Sequence, residues 1–290
     1  MNAPLITIGL PFYNNESTLM LAIQSILTQS ITNWKLILIN DGSTDSSPSI
    51  AQEFASKDKR VLYIDDFQNR GLIYRLNQIS DLTETKYLAR MDSDDIMMPD
   101  RLKKQLDFLI LNPEVDLLDT ALYTIDELGN PVGLRGDCDI ATNKIDILKS
   151  TMLNHATIVG KTSWFRANKY DPKYVRAEDY ELWIRTHDYS NFKRLKIPLY
   201  IVREGRVSVK NYVKSMNTLR IIFSNYGPNI LSGLQLKIEI FKTYLKSGIY
   251  IFAGFFNFQH LLSQRRNAPL ETEQKVYVSE VISNIGKVII

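Results

Sequence analysis

Short apolar runs alternate with amphipathic stretches through the first half of the chain, the pattern of strand–helix–strand units wound around a mostly parallel sheet. Runs at Ile6–Phe12, Lys35–Asp41, Val61–Asp65 and Tyr87–Met91 predict four strands. Between them, Thr18–Ser30 predicts a helix with Leu19, Ile23, Ile26 and Leu27 on one face. Ser47–Lys57 predicts the next, with Ser47 as N-cap and Pro48 at the first helical position. Gly71–Ile79 follows, and Pro99 and the pair Asn112-Pro113 bracket a helix over Asp100–Leu111. Leu117–Ile125 is a further apolar run, the turn chemistry of Glu127–Pro131 comes after it, and Ile140–Ser150 is again helical. Long apolar helical segments dominate from about residue 211, so a boundary is expected near residues 205–215. The expected layout is an α/β domain over 1–210, split near 115, and a helical region over 211–290.

Length and composition narrow the class without naming a chemistry. A chain of 290 residues with 44% apolar and 23% charged residues buries a full core and is ordinary globular material. Cys138 is the single cysteine, so no internal disulfide forms and a reducing, cytoplasmic setting is expected. The N-terminus has no basic region ahead of its apolar run, so it reads as a strand and not as a signal peptide. The formal charge of +3 gives no case for nucleic acid, but it is unevenly spread. Residues 1–210 carry 26 Lys+Arg and 28 Asp+Glu, whereas 211–290 carry 9 and 4.

In open parallel sheets ligands sit at the carboxyl ends of strands. The residues there are acidic: Asn40-Asp41-Gly42-Ser43-Thr44-Asp45, Asp65-Asp66, and Asp92-Ser93-Asp94-Asp95. Carboxylates gathered on one edge repel unless a cation or donors balance them, and the last cluster suits Mg²⁺ or Mn²⁺ shared with a diphosphate. The competing readings are a helix-capping loop for the last cluster and a plain tight turn for the first. Neither GxxxxGK[ST] nor GxGxxG occurs, so a nucleotide is held by other means. Glu178-Asp179 opens a predicted short helix, where acids complement the helix dipole or take a proton from a hydroxyl. His155 and Cys138 show no pairing for nucleophilic chemistry.

Taken in order, these residues resemble the family 2 inverting glycosyltransferases, especially bacterial enzymes of lipopolysaccharide, capsule and other surface polysaccharides. The resemblance is carried by Pro11-Phe12-Tyr13-Asn14, Asn40 to Asp45, Asn69-Arg70-Gly71-Leu72, Leu76-Asn77, Tyr87 to Asp95, Pro99-Asp100-Arg101-Leu102 with Gln105, His155, and Glu178 to Trp183. It spans about residues 5–205 and implies a GT-A fold. It further implies Pro11, Tyr13 and Asn69 at the nucleotide pocket, Asp41 accepting a hydrogen bond from uracil, and Asp92 beside the ribose or diphosphate. By the same resemblance Asp94 is the metal ligand of a DxD motif, Asp95 supports it, and Asp179, shared with or replaced by Glu178, is the general base. His155 and Trp183 then lie near the donor sugar and acceptor, and Arg203 or Arg206 near the diphosphate. The implied activity is transfer from a nucleotide-sugar, UDP-sugar favoured, to a hydroxyl of a glycan or lipid-linked acceptor. The segment Thr83-Glu84-Thr85-Lys86 departs from the glycine-containing stretch such members often carry. The alternatives are a nucleotidyltransferase, which would bring a glycine- and lysine-rich first loop, and an inactive binding or scaffold module of the same fold.

The basic tail adds an expectation about membranes. Ser247–Gln264 is uncharged over 18 residues but contains Asn257, Gln259 and His260, which disfavours a membrane span. Five basic residues and one acid between Lys237 and Arg266 suit a segment lying on the inner face of an anionic membrane, or a helix packed on the protein.

Overall fold

The computed structural model describes residues 3–150, 152–205, 208–256 and 267–288. Ten strands form one mixed sheet. Its parallel half has the order β4 (Tyr87–Arg90), β1 (Ile6–Phe12), β2 (Trp34–Asn40), β3 (Val61–Asp65), in register from Phe12 to Asn40 to Asp65. Beyond β4 the sheet turns antiparallel through β8 (Val159–Lys161) to β6 (Leu117–Ile125), then β7 (Pro131–Arg135) and β10 (Ala268–Pro269). β9 (Phe192–Arg203) runs parallel to β6 and antiparallel to β5 (Ile96–Met97).

The parallel strands are apolar on both faces because helices cover both. On β2, Leu36 and Leu38 face a core shared with α1 (Leu19–Leu27), α2 (Ser47–Lys57) and α4 (Arg101–Leu111), while Ile37 and Ile39 face α3 (Leu72–Leu82). At Gly9 of β1 an added Cβ would lie 2.3 Å from Ile79 Cγ2, so α3 reaches its packing distance only over a residue without a side chain. Each fully buried Leu or Ile contributes about 1.5–3 kcal/mol. The sandwiched strands are thus a rigid base for the loops at their carboxyl ends.

The short helices α5 (Lys144–Lys149), α6 (Thr162–Ala167) and α7 (Glu178–Thr186) surround the antiparallel half. α8 (Val209–Tyr226) and α9 (Gly233–Phe255) pack on each other, with Tyr212 stacked on Tyr250. The final helix, α10 (Thr272–Gly286), returns to the sheet, where Val278, Val281 and Ile285 join Ile96, Ile125 and Ile201.

Four elements differ from the sequence expectation in detail. Ser46, not Ser47, is the N-cap of α2, because the Ser47 hydroxyl accepts from Asn15 N at 2.8 Å and ties the loop after β1 to the loop after β2. α5 begins only at Lys144, where the Asn143 side chain accepts from Asp146 N. β8 and β9 were not legible, since one is three residues long and the other carries Pro198 and a register shift.

Candidate active site

The loops at the carboxyl edge of the parallel strands are stitched together by their own polar side chains. Asn14 N donates to Ser43 Oγ, Thr44 N to Asn14 Oδ1, and Glu16 N to Asp45 Oδ2, all within 3.0 Å. Gly42 has φ +76°, and a Cβ there would meet Asn69 N at 2.8 Å, so the Asn40–Asp45 turn packs directly on the loop before α3. Pro11 is buried beneath this surface, and Tyr13 and Asn69 are exposed on it.

Asp41 is the clamp of that loop. Its carboxylate accepts from Arg70 N at 2.9 Å, Gly71 N at 3.0 Å and Arg75 Nε at 2.8 Å. Arg75 is fully buried and also pairs with Asp66 at 2.6 Å. That pairing holds the Asp66 carboxyl down at about 2. Among the described residues Oδ2 of Asp41 accepts from Gly71 N alone.

The second acidic cluster divides its labour. Asp92 is paired with the buried Arg90 at 2.6 Å, and its backbone N–H donates to Tyr200 Oη. Asp95 is buried and accepts from Arg203 N at 2.9 Å. Desolvation and the charges of Asp92 and Asp94 push its pKa well above the carboxylate range. Asp94 is exposed to solvent, yet the dense protein around its carboxylate, and then Asp92, raise its pKa too. Mutual repulsion of this kind is relieved by a cation. Among the described residues no group of three or more His, Cys, Asp or Glu side chains forms a closed metal cage. One or two carboxylates at an open edge instead suit a hard divalent ion that takes its remaining oxygens from a diphosphate. The residues therefore fit such an ion, with Asp94 the side chain free to meet it. Arg203 hydrogen-bonds the carbonyls of Asp94, Asp126 and Glu127, and Arg206 lies outside the described residues.

Glu178 and Asp179 open α7 after a turn in which Arg176 takes φ +68°, a left-handed conformation strained for a side chain of this size. Asp179 lines a cleft of about 770 Å³ together with Arg70, Gly71, Tyr74, Asn77, His155 and Glu178. Burial raises the pKa of Asp179, opposed by the Tyr180 backbone N–H and by Arg90, and burial followed by the Asp179 charge raises Glu178. His155 Nε2 is 2.8 Å from Tyr170 Oη, and Nδ1 is 4.0 Å from Asp179. Burial and then Arg90 hold the imidazole pKa well below its ordinary value, so the His155–Asp179 contact at neutral pH is not an ion pair. Asp119, itself paired with Arg194, accepts from Asn154 N at 2.7 Å and fixes the turn that presents His155. Trp183 is buried beside His155, edge to face.

Residues 7–190 match the profile of Glycosyl transferase family 2. The chain belongs to this family. It is 34% identical over 215 residues to the putative glycosyltransferase EpsE of Bacillus subtilis, covering 72% of this chain and 76% of that one. An uncharacterized glycosyltransferase of Methanocaldococcus jannaschii is 31% identical over 189 residues, 64% of this chain, and the match spans only 65% of that relative's length. The fold is GT-A, shared with S. aureus TarS 1-349 in complex with UDP (TM-score 0.58, 16% identity, 82% of this chain and 70% of that one). It is also shared with the mannosyltransferase PcManGT of Pyrobaculum calidifontis in complex with GDP-Man and Mn²⁺ (TM-score 0.59, 13% identity, 99% and 87%). The protein is a glycosyltransferase.

The structure brings Asp41 and Asn69 to one loop cluster, and Glu178, Asp179 and His155 to one cleft that reaches that cluster at Arg70 and Gly71. Sequence reasoning missed Arg75 and Tyr170. Arg75 had a signal, a charge among Ile73, Leu76 and Ile79 on the inward face of a helix. Tyr170 had none, because its partner His155 is reached only through the fold.

Proposed function

We propose that the protein is an inverting glycosyltransferase of surface polysaccharide biosynthesis, moving a sugar from a nucleotide-sugar to a hydroxyl of a glycan or lipid-linked acceptor. The observation that carries this reading is Asp179, a partly buried carboxylate with a raised pKa in a cleft that also reaches the loop clamped by Asp41. Asp179 removes the acceptor proton as the hydroxyl oxygen bonds to the anomeric carbon and the bond to the nucleoside diphosphate breaks on the opposite face. Glu178, also buried and raised, stands beside it to share or replace that role. Asp94 would hold a divalent ion, Mn²⁺ or Mg²⁺, which would supply charge for the departing diphosphate. Among nucleotides UDP is favoured through the resemblance of Asp41 to the family's carboxylate that accepts a hydrogen bond from uracil. Support comes from the UDP and GDP-Man complexes of the structural neighbours, and from a relative named as a putative teichuronic acid biosynthesis glycosyltransferase.

The test is calorimetric titration of UDP, GDP and dTDP with and without Mn²⁺, followed by the anomeric configuration of the product by NMR. Metal-dependent binding of one nucleotide and an inverted anomer are expected. No binding of any nucleotide leaves the scaffold reading in place.

We also infer contact with an anionic membrane through α9. Leu234, Ile238, Phe241, Leu245, Phe252 and Phe255 are exposed along one face, with Lys237, Lys242 and Lys246 beside them. No helix among the described residues is long and apolar enough to cross a membrane, and the part of the sequence-predicted segment over 257–266 lies outside them. Flotation with vesicles containing anionic lipid, and not with neutral ones, is the expected result; recovery in the unbound fraction with both rejects the contact.

A further inference from the structure

A second cavity, of about 410 Å³, lies on the α9 side of Asp179. It shares Arg176, Asp179 and Ser215 with the larger cleft, so a ligand whose hydroxyl meets Asp179 from this side places its remainder there. We propose that this cavity holds a phosphate ester carried by the acceptor. The proposal deepens the transferase reading and rests on Asp179 being the base.

The charge of the lining is the reason. Lys149 at the end of α5, Arg176 in the turn before α7, and Lys242 and Lys246 on α9 converge from three parts of the chain. Against them stand Asp179 and Glu239, and Glu239 is taken by Lys242 at 2.8 Å. Lys149, Arg176 and Lys246 form no ion pair among the described residues. A cavity with this surplus of cations attracts an anion, and hydrogen bonds from a cation to a phosphate are of the strong, charge-assisted kind. A phosphate monoester carries about −1.5 to −2 charges at neutral pH and offers three acceptor oxygens, which suits three unpaired cations better than a single carboxylate does. Met216, Leu219 and Phe223 line the cavity with apolar surface, room for the carbon side of the ester.

Site-resolved acetylation of lysines, read by mass spectrometry, tests this with glycerol 3-phosphate and with monomeric dodecyl phosphate as probes. Both probes, or dodecyl phosphate alone, should shield Lys149 and Lys246 while Lys35 and Lys57, on β2 and α2, label as before. Shielding by both points to a phosphate on a soluble glycan or polyol, and shielding by the alkyl probe alone to a lipid phosphate. In calorimetry, Lys149→Met/Lys246→Met should weaken the effective probe about tenfold or more, since each charged hydrogen bond is worth about 1.5–3 kcal/mol. Unchanged labelling with both probes, or equal affinity in the double variant, overturns the proposal. Mn²⁺-dependent UDP binding retained in the double variant shows that it is folded. If the wild type itself binds no UDP, the transferase reading fails, while the phosphate footprint still reports on the cavity.

Discussion

Replacing Arg75 by Met should unseat the nucleotide loop at a cost that the structure lets one bound. Arg75 is fully buried and serves two acids of unequal exposure. Removing one partner of a buried pair costs about 3–5 kcal/mol, because the other charge is left desolvated. Two features reduce that figure here. Asp41 keeps the N–H groups of Arg70 and Gly71, and Asp66, 30% exposed, is partly solvated, so its share is nearer the 0–1 kcal/mol of surface pairs. The expected loss is about 2–4 kcal/mol, a large fraction of the 5–15 kcal/mol that holds a typical domain. Urea denaturation reads it as a lower midpoint at unchanged slope. Because Arg75 also binds the Gln68 carbonyl, UDP affinity should fall in the same variant. Asp41→Asn combined with Arg75→Met should cost less than the two singles summed, since the second change removes a charge already without its partner. Additive losses, or a loss below about 1 kcal/mol with UDP binding intact, would refute the clamp.

Three further outcomes are expected. Asp94→Asn should lower Mn²⁺-dependent UDP binding by at least on the order of tenfold, with metal-independent binding unchanged, in paired titrations with and without the ion. Asp179→Asn should lower kcat by about 10²–10⁴ at near-normal UDP affinity. In the wild type the acid limb of kcat/KM should lie above the ordinary value of 3.8, because burial raises Asp179. The same shift carries a stability sign: an acid whose folded pKa is raised destabilises the protein above that pKa, so Asp179→Asn should gain thermal stability at neutral pH. The gain should fade as pH drops to the unfolded value, and a loss at neutral pH would contradict the shift. Gly42→Val, with φ +76° and a Cβ 2.8 Å from Asn69 N, should cost about 2–4 kcal/mol and displace the Asn69 loop; wild-type stability and UDP affinity would show that the two loops are not locked.

The parallel half was legible because each of its strands is apolar on both faces and ends in acids or turn residues, so pattern and chemistry change at the same place. Val61–Asp65 was read to the residue for that reason. The antiparallel half was not. Val159–Lys161 is too short to show a period, and Phe192–Arg203 alternates poorly because it carries Pro198 and its register on β6 shifts. Among the candidate residues, Asp41 stood out by its place after a strand and took its expected role from the resemblance, whereas its bond to Arg75, on a helix face 34 residues away, is set only by the fold. For Asp179 the residues left a base and a helix-dipole acid equally open, and only the resemblance favoured the base.

One residue explains how two acidic clusters coexist in the same site. Arg90 ends β4, the strand where the parallel half meets the antiparallel half, and its backbone N–H bonds Ile158 O in the segment between His155 and β8. Its buried side chain pairs with Asp92, while its charge lowers the pKa of His155 and opposes the rise at Asp94, Glu178 and Asp179. A fixed cation at this seam therefore does two things that a bound divalent ion alone would not. It keeps the Asp92–Asp95 cluster partly neutralised when no donor is present, so the loop need not unfold to relieve repulsion. It also adds to the burial that keeps His155 neutral, so that in the proposed reaction the Glu178–Asp179 pair, and not the imidazole, takes the proton from a hydroxyl.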